Sequence, residues 1–241
     1  MKTLSRIVIV AFLMLFPAVM NAQVLISLVF GKALNTDKVE FGLAGGMSRS
    51  YINSIPESDP MNSFDLGFYF HILMKNSSYL STGVHVKSNV GATGMPTYPL
   101  EGEGSEYFNA LYKDGTLTKK IPSFYVPILF HQRFNNRWYL EAGPQLGLNY
   151  KETDVFTENV LDGDMTFNRN VVDEYKRIDA GLLGGIGYKL KKQIKSTAIG
   201  INYYYGLVDV SKNPSYEIRN SAIYFYVKIP IGVAPKEEKK N

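Results

Sequence analysis

The chain has 241 residues, 45% of them apolar and 20% charged, enough for one domain or one barrel with generous loops, and this composition excludes disorder, collagen and coiled coil. There is no cysteine, which removes disulfide scaffolds, cysteine-ligated zinc, a cysteine nucleophile and a lipid-modified N-terminal cysteine together. The net charge of +4 is small and no basic run makes a phosphate-binding stripe, so nucleic acid is not an expected partner. The 17 Tyr, 14 Phe and 21 Gly favour β structure.

In chain order, Lys2 and Arg6 precede an apolar run from Ile7 to Phe16 broken by Pro17, and Ala22-Gln23 offers a small residue for cleavage. Residues 1–22 therefore read as a secretory signal peptide and 23–38 as a periplasmic N-terminal segment. The competing reading is an uncleaved helix from Ile7 to Phe30, but Pro17, Asn21 and Gln23 interrupt the ~20 apolar residues it would need. Nothing later reaches that length.

From Val39 to Ile231 the sequence alternates with period two, the pattern of strands. Phe64, Leu66, Phe68, Phe70, Ile72 and Met74 share one face, and Asp65, Gly67, Tyr69, His71 and Lys75 the other. The same pattern recurs over 39–48, 80–87, 123–131, 138–149, 178–190, 199–207 and 223–231. Eight strands are expected, most long enough for a tilted membrane crossing of ~9–11 residues. Pro127 and Pro144 stay within strands, each with a bulge expected nearby.

Short polar turns at 76–78, 135–137 and 191–196 alternate with long connections at 51–62, 90–118, 151–175 and 209–220. That is the layout of an outer-membrane barrel, with periplasmic turns and extracellular loops. The long connections hold 15 of the 22 acidic residues and five basic ones, while Lys75, Arg133, Arg137, Lys189, Lys191, Lys192 and Lys195 lie towards the short turns. Tyr79, Phe134, Trp138 and Tyr188 at one end, with Phe64, Tyr150, Tyr203 and Tyr205 at the other, suggest two aromatic girdles. A soluble lipocalin-like barrel would need Lys, Glu and Thr on its second face. That face is rich in Gly instead, with Tyr and isolated charges, which suits a narrow packed lumen.

Three stretches carry a family likeness: Tyr125-Val126-Pro127-Ile128-Leu129-Phe130, Tyr139-Leu140-Glu141-Ala142-Gly143-Pro144-Gln145-Leu146-Gly147, and Asp179-Ala180-Gly181-Leu182-Leu183-Gly184-Gly185-Ile186-Gly187-Tyr188. With Tyr204-Tyr205-Gly206-Leu207-Val208-Asp209, they resemble the PorT-like outer-membrane β-barrel family (porin family) of Bacteroidota-type bacteria. The resemblance implies an eight-stranded barrel inserted by the barrel-assembly machinery and, through its namesake, a link to protein secretion. One departure is a polar tail, 233–241, after the last strand, so any assembly signal is read internally from Tyr224 to Ile231.

The chemistry-bearing residues point away from catalysis. His71, His85 and His131 all lie on the inward register of strands and none in a long loop, where a general base of an outer-membrane enzyme would sit. His71 and His131 share a depth, yet a metal would need Asp65 or Glu141 from other heights, and packing of the lumen is the better account. Glu40, Asp65, Lys87, Glu141, Asp179, Lys189 and Lys228 point inward and are expected to pair and plug an eight-stranded lumen, joined by Tyr69, Tyr125 and Tyr226. Asp162-Gly163-Asp164 faintly resembles a calcium loop but lacks its ordered oxygen ligands.

The expectation is an all-β, eight-stranded antiparallel up-and-down transmembrane β-barrel over 39–232 in the cell outer membrane. It has no catalytic, cofactor or metal residues. Its surroundings are outer-membrane lipid and lipopolysaccharide, and it serves as a binding or assembly component for an unknown protein partner through its long loops. The alternatives are a small porin and a lipid- or peptide-modifying enzyme.

Overall fold

The computed structural model describes residues 34–55, 57–102, 105–135, 137–160, 163–193 and 195–231. The expected signal peptide and polar tail lie outside these residues. Among the described residues ten antiparallel strands form one sheet: β1 (Val39–Ile52), β2 (Asp59–Lys75), β3 (Ser78–Pro96), β4 (Thr116–Phe134), β5 (Trp138–Asn149), β6 (Thr153–Val160), β7 (Gly163–Asn170), β8 (Ile178–Lys189), β9 (Ala198–Gly206) and β10 (Asn220–Pro230). A short helix α1 (Ser105–Leu111) lies between β3 and β4. No helix among the described residues is long and apolar enough to cross a membrane.

Following the pairings from β1 through β2, β3, β4, β5, β8, β9 and β10 returns to β1, so this part of the sheet closes on itself. Closure satisfies every strand's ladder without leaving an edge. The alternation then sorts side chains in the reverse of a soluble protein. Along β5, Trp138, Leu140, Leu146 and Leu148 are exposed while Tyr139, Glu141, Gln145 and Asn149 are buried. The same holds on β10, where Phe225, Val227 and Ile229 face out and Tyr224, Tyr226 and Lys228 face in. An apolar exterior around a polar interior fits a lipid solvent and rules out the lipocalin arrangement.

Several expectations need correcting. Strands β2, β3 and β4 run further into the long-loop end than their periodic cores, because pairing continues there: Val90 opposes Ile121 and Pro96 opposes Thr116. The third long connection is largely a hairpin, with β6 pairing both β7 and the start of β4. Lys87 points outward. Its strand carries a register shift between His85 and Ser88, which hands the inward face from Ser81, Gly83 and His85 to Ser88, Val90 and Ala92. Tyr79 shares the inward register and is buried beneath the Arg133 guanidinium, 3.9 Å from its ring centre, so it leaves the girdle. Phe134, Trp138, Phe64, Tyr150, Tyr203 and Tyr205 do face outward. The expected bulge is found near Pro127 alone, where the β3–β4 shift between His85 and Ser88 falls opposite Tyr125, two residues from that proline, and the ladders on either side of Pro144 carry none. The β4–β5 register runs unchanged from Pro127 opposite Gln145 to Phe130 opposite Ala142, and only the intervening bridges are missing. Losing bridges without adding a residue keeps the barrel wall in phase.

Candidate functional site: a filled lumen and a built mouth

The interior divides by depth. At the short-turn end Glu40 takes Arg133 Nη2 at 2.9 Å and Lys189 Nζ at 3.1 Å on one carboxylate oxygen, while Tyr69 donates to the other at 3.0 Å. One level up, Glu141 accepts from Lys228 at 2.9 and 3.0 Å, from Asn202 at 2.8 Å and from Tyr226 at 3.3 Å. Excluding water makes such charge-assisted bonds strong and makes an unpaired member costly. Asp65 pairs with His85 at 2.6 Å. Asp179 is held by three neutral donors, Tyr125, Tyr204 and Asn220, at 3.1, 2.8 and 3.0 Å. The expected network is thus carboxylate-centred, with the Glu40 and Glu141 groups linked through Arg133 and His131 and with Asp65 and Asp179 in groups of their own: Glu141, Lys228 and Tyr226 join directly, whereas Tyr69 and Tyr125 serve other acids.

His71, His131 and Glu141 come together, with one ligand atom from each lying within 4.8 Å of the others. The two rings lie 4.3 Å apart at a tilt of 33°, as their shared depth suggested. Arg133 decides the chemistry, because a guanidinium only donates: its Nη2 lies 3.0 Å from His71 Nδ1 and its Nε 3.2 Å from His131 Nε2. His131 must then donate from Nδ1 to Glu141, 3.1 Å away. With a cation already on both lone pairs, these residues do not fit a metal ion.

Above the charged half the barrel is filled by apolar groups. Ile52, Val90, Ala92, Ile121, Phe156, Val210, Ile218 and Ala222 belong to one buried cluster at the long-loop end. Val210 and Ile218 come from the connection after β9, which folds over the mouth; its Val210 N–H bonds to Ile218 and its Ser211 bridges to Tyr175. A cavity of about 30 Å³ lies inside, touched by Asp65, His85, Glu141, Gln145, Asn202 and Tyr224. That is room for a water or two.

The long-loop end carries its own construction. A cavity of about 510 Å³ is lined by the apolar Ile55, Met95, Pro96 and Leu117 and by Tyr98, Lys119, Arg169, Glu174, Asn213 and Tyr216. Tyr98 organises this wall: its hydroxyl donates to Asp154 at 2.8 Å and accepts from Arg169 Nη1 at 2.6 Å. Burial, then the Asp154 carboxylate, pushes the Tyr98 phenol well above its ordinary range, so it stays a donor. Lys119 binds Asp154 at 2.8 Å and Arg169 binds Glu174 at 2.7 Å, which leaves the rim balanced in charge. Phe108 of α1 packs edge-on against Phe156 of β6 and Phe167 of β7, centroids 5.4 and 4.7 Å apart, tying helix to hairpin. Burial raises the Glu152 carboxyl at the base of the hairpin.

Sequence reasoning placed recognition in 90–118 and 151–175 without naming Tyr98, Asp154 or Arg169. The available signal was Asp162-Gly163, a hairpin dipeptide between two strand-length segments, read instead as a weak calcium loop. Asp164 lies in β7, where its carboxylate is 3.5 Å from the Asn159 amide across the hairpin.

Similar solved structures include Ail, the attachment invasion locus protein of Yersinia pestis, in complex with the heparin analogue sucrose octasulfate, at 10% identity and TM-score 0.41, covering 79% of this chain and 97% of that one. Neisserial surface protein A is 8% identical at TM-score 0.41, covering 80% and 97%, and OprG from Pseudomonas aeruginosa 11% identical at 0.32, covering 80% and 91%. No curated protein matches the sequence. Residues 22–212 match the family described as outer membrane protein beta-barrel domain. The closed sheet with its apolar exterior is what that match requires, and the chain belongs to the outer membrane protein beta-barrel domain family, with the outer membrane as its location.

Proposed function

We propose that β1–β5 and β8–β10 form an eight-stranded up-and-down transmembrane barrel, with the long-loop end outside the cell, acting as a non-enzymatic binding or assembly component. The observation that carries this reading is the contrast between the two ends of the interior and the mouth. The lumen is filled by ion pairs and an apolar plug, whereas α1, the β6–β7 hairpin and the 510 Å³ cavity build a shaped surface beyond it. A rigid barrel displaying structured loops is a platform for recognition. The PorT-like sequence stretches make a protein-secretion assembly the favoured setting, and the unknown partner a protein.

Removing α1 together with the β6–β7 hairpin tests the reading. The shortened protein is expected to assemble as a heat-modifiable barrel and to lose the partner retained by the full chain in affinity pull-down from detergent extract. Unchanged partner association, or a change in lipid composition that follows loss of the protein, would favour the enzyme instead. Orientation is read from cysteines placed singly at Asp164 and Lys192. A membrane-impermeant reagent on whole cells should label the first and spare the second.

A further inference from the structure

The closed barrel has no free edge, but the hairpin built on it does. β6 pairs with β4 on one side and β7 on the other, while β7 pairs with β6 alone among the described residues. Which of its backbone groups are left over can be worked out. Val171, just past β7, donates its N–H to the carbonyl of Glu152, the residue directly opposite. Opposite residues in an antiparallel ladder alternate between exchanging bonds and not doing so. The amides of Arg169, Phe167 and Met165 therefore face β6, and those of Asp164, Thr166 and Asn168 face outward.

This edge lacks most of the devices by which proteins protect edges, its one exposed charge being Asp164 near the start of the strand. The β6–β7 register runs unbroken from Thr153 opposite Asn170 to Val160 opposite Gly163, without a bulge. No proline or lysine lies in β7, and its one basic residue, Arg169, is turned to Tyr98 and Glu174. Asp164, Thr166 and Asn168 are exposed, as are Met165 and Phe167. An unbulged, exposed edge with no proline or lysine is a ready template for another strand. One face of that template is prepared: Phe167 meets Phe108 of α1, so a strand laid beside β7 would set alternate side chains against an existing aromatic cluster.

We propose that the outer edge of β7 accepts an extended segment of another polypeptide as an added strand, bound through the outward N–H and C=O groups of Asp164, Thr166 and Asn168. Only a strand matches donors and acceptors at every second residue, so the partner's chemistry follows from the edge itself. Apolar residues at alternate positions, facing the Phe108 side, would supply specificity. This inference rests on recognition by the long-loop end and narrows it to main-chain pairing.

The test uses the full-length protein in detergent micelles and random decapeptides displayed on phage as the probe. Peptides enriched on the protein are expected to carry alternating apolar residues. Thr166→Pro with Asn168→Pro removes two outward amides and no bond to β6, and should weaken these peptides by about tenfold or more. Thr166→Ser with Asn168→Ser, which keeps the backbone, should bind as the parent does. Residue-resolved amide exchange on the unaltered protein gives a reading independent of the prolines. Added peptide should newly protect Asp164, Thr166 and Asn168 and leave Met165 and Phe167, already bonded to β6, unchanged. Peptides that bind the proline variant equally well, protection elsewhere, or no enrichment at all would each overturn strand addition. If binding survives the prolines but is lost on removing the hairpin, loop recognition stands and main-chain pairing does not.

Discussion

Glu141 is fully buried and held by Lys228, Asn202, Tyr226 and His131. Its worth is therefore a property of the group. Lys228→Met is expected to cost roughly 3–5 kcal/mol in urea unfolding, because it strands a carboxylate away from water. Pairing it with Glu141→Gln should recover much of that loss, since the double change removes both desolvated charges and keeps an acceptor for Asn202 and Tyr226. Equal destabilisation by the single and double variants would contradict the account. A neighbouring position tests packing. A methyl at Gly187 would fall 2.1 Å from the Tyr139 ring, which is fixed by stacking on His131 at 4.4 Å and by the Tyr226 hydroxyl at 3.1 Å. Gly187→Ala should cost about 1–3 kcal/mol in the same assay, and less when Tyr139 is also Leu. The inward identity of Glu40, Asp65, Glu141, Asp179, Lys189 and Lys228 is legible from alternation, whereas Lys87 is not, and Tyr79, although on the inward register of Ser81 and Gly83, reads as a girdle ring at a strand end. Lys87 lies beyond a bulge that leaves no mark in composition, and Tyr79 answers to a guanidinium 54 positions away in sequence at Arg133.

At the scale of elements, period two located every strand of the closed ring, because each has one apolar and one polar face. The strand ends and the apolar plug escaped that logic. Ile52, Val90, Ile121 and Ile218 are apolar residues facing inward, so the rule that assigns apolar side chains to the outside misplaces this end of the barrel. The connection after β9 that closes the plug is tied by Asp209. Its Oδ1 accepts the N–H groups of Ser211 at 2.9 Å and Ile218 at 2.8 Å, and Lys176 reaches Oδ2 at 3.2 Å. Partial burial opposes the charge, but the Ile218 and Ser211 amides and Lys176 outweigh it and hold the carboxyl below its ordinary value of 3.8. A depressed folded-state pKa stabilises the connection above the unfolded value and loses that contribution as pH falls through the folded one. Protease resistance of residues 207–219 should accordingly fade as pH drops below 3.8, and Asp209→Ala should remove it at neutral pH with the barrel intact. Cleavage unaffected by the substitution would mean that Val210 and Ile218 alone hold the connection.

For the whole molecule the question is whether the barrel conducts. Eight strands enclose an interior just wide enough for side chains to fill. Here the filling is of two kinds in series, and each blocks ions for its own reason. The Glu40 and Glu141 groups bridge the lumen from β1 and β5 to β4, β8 and β10, so an ion passing them must break charge-assisted bonds in a low-dielectric space. Beyond them the plug is mostly apolar and poor in ligands to replace an ion's hydration shell, and polar groups buried at that end, such as Ser123 and Asp179, are committed to neighbours. The 30 Å³ cavity beside the Glu141 group has room for a water or two, far less than a hydrated ion needs. Purified protein in a planar bilayer is therefore expected to be silent while migrating as a heat-modifiable folded barrel. Weakening one layer alone, by Lys228→Met, should leave it silent, because the apolar plug is in series. Opening requires Val90→Ser and Ile121→Ser as well. Stable, voltage-independent steps of porin size from the unaltered protein would show that the filling moves aside, and the barrel would then be a channel.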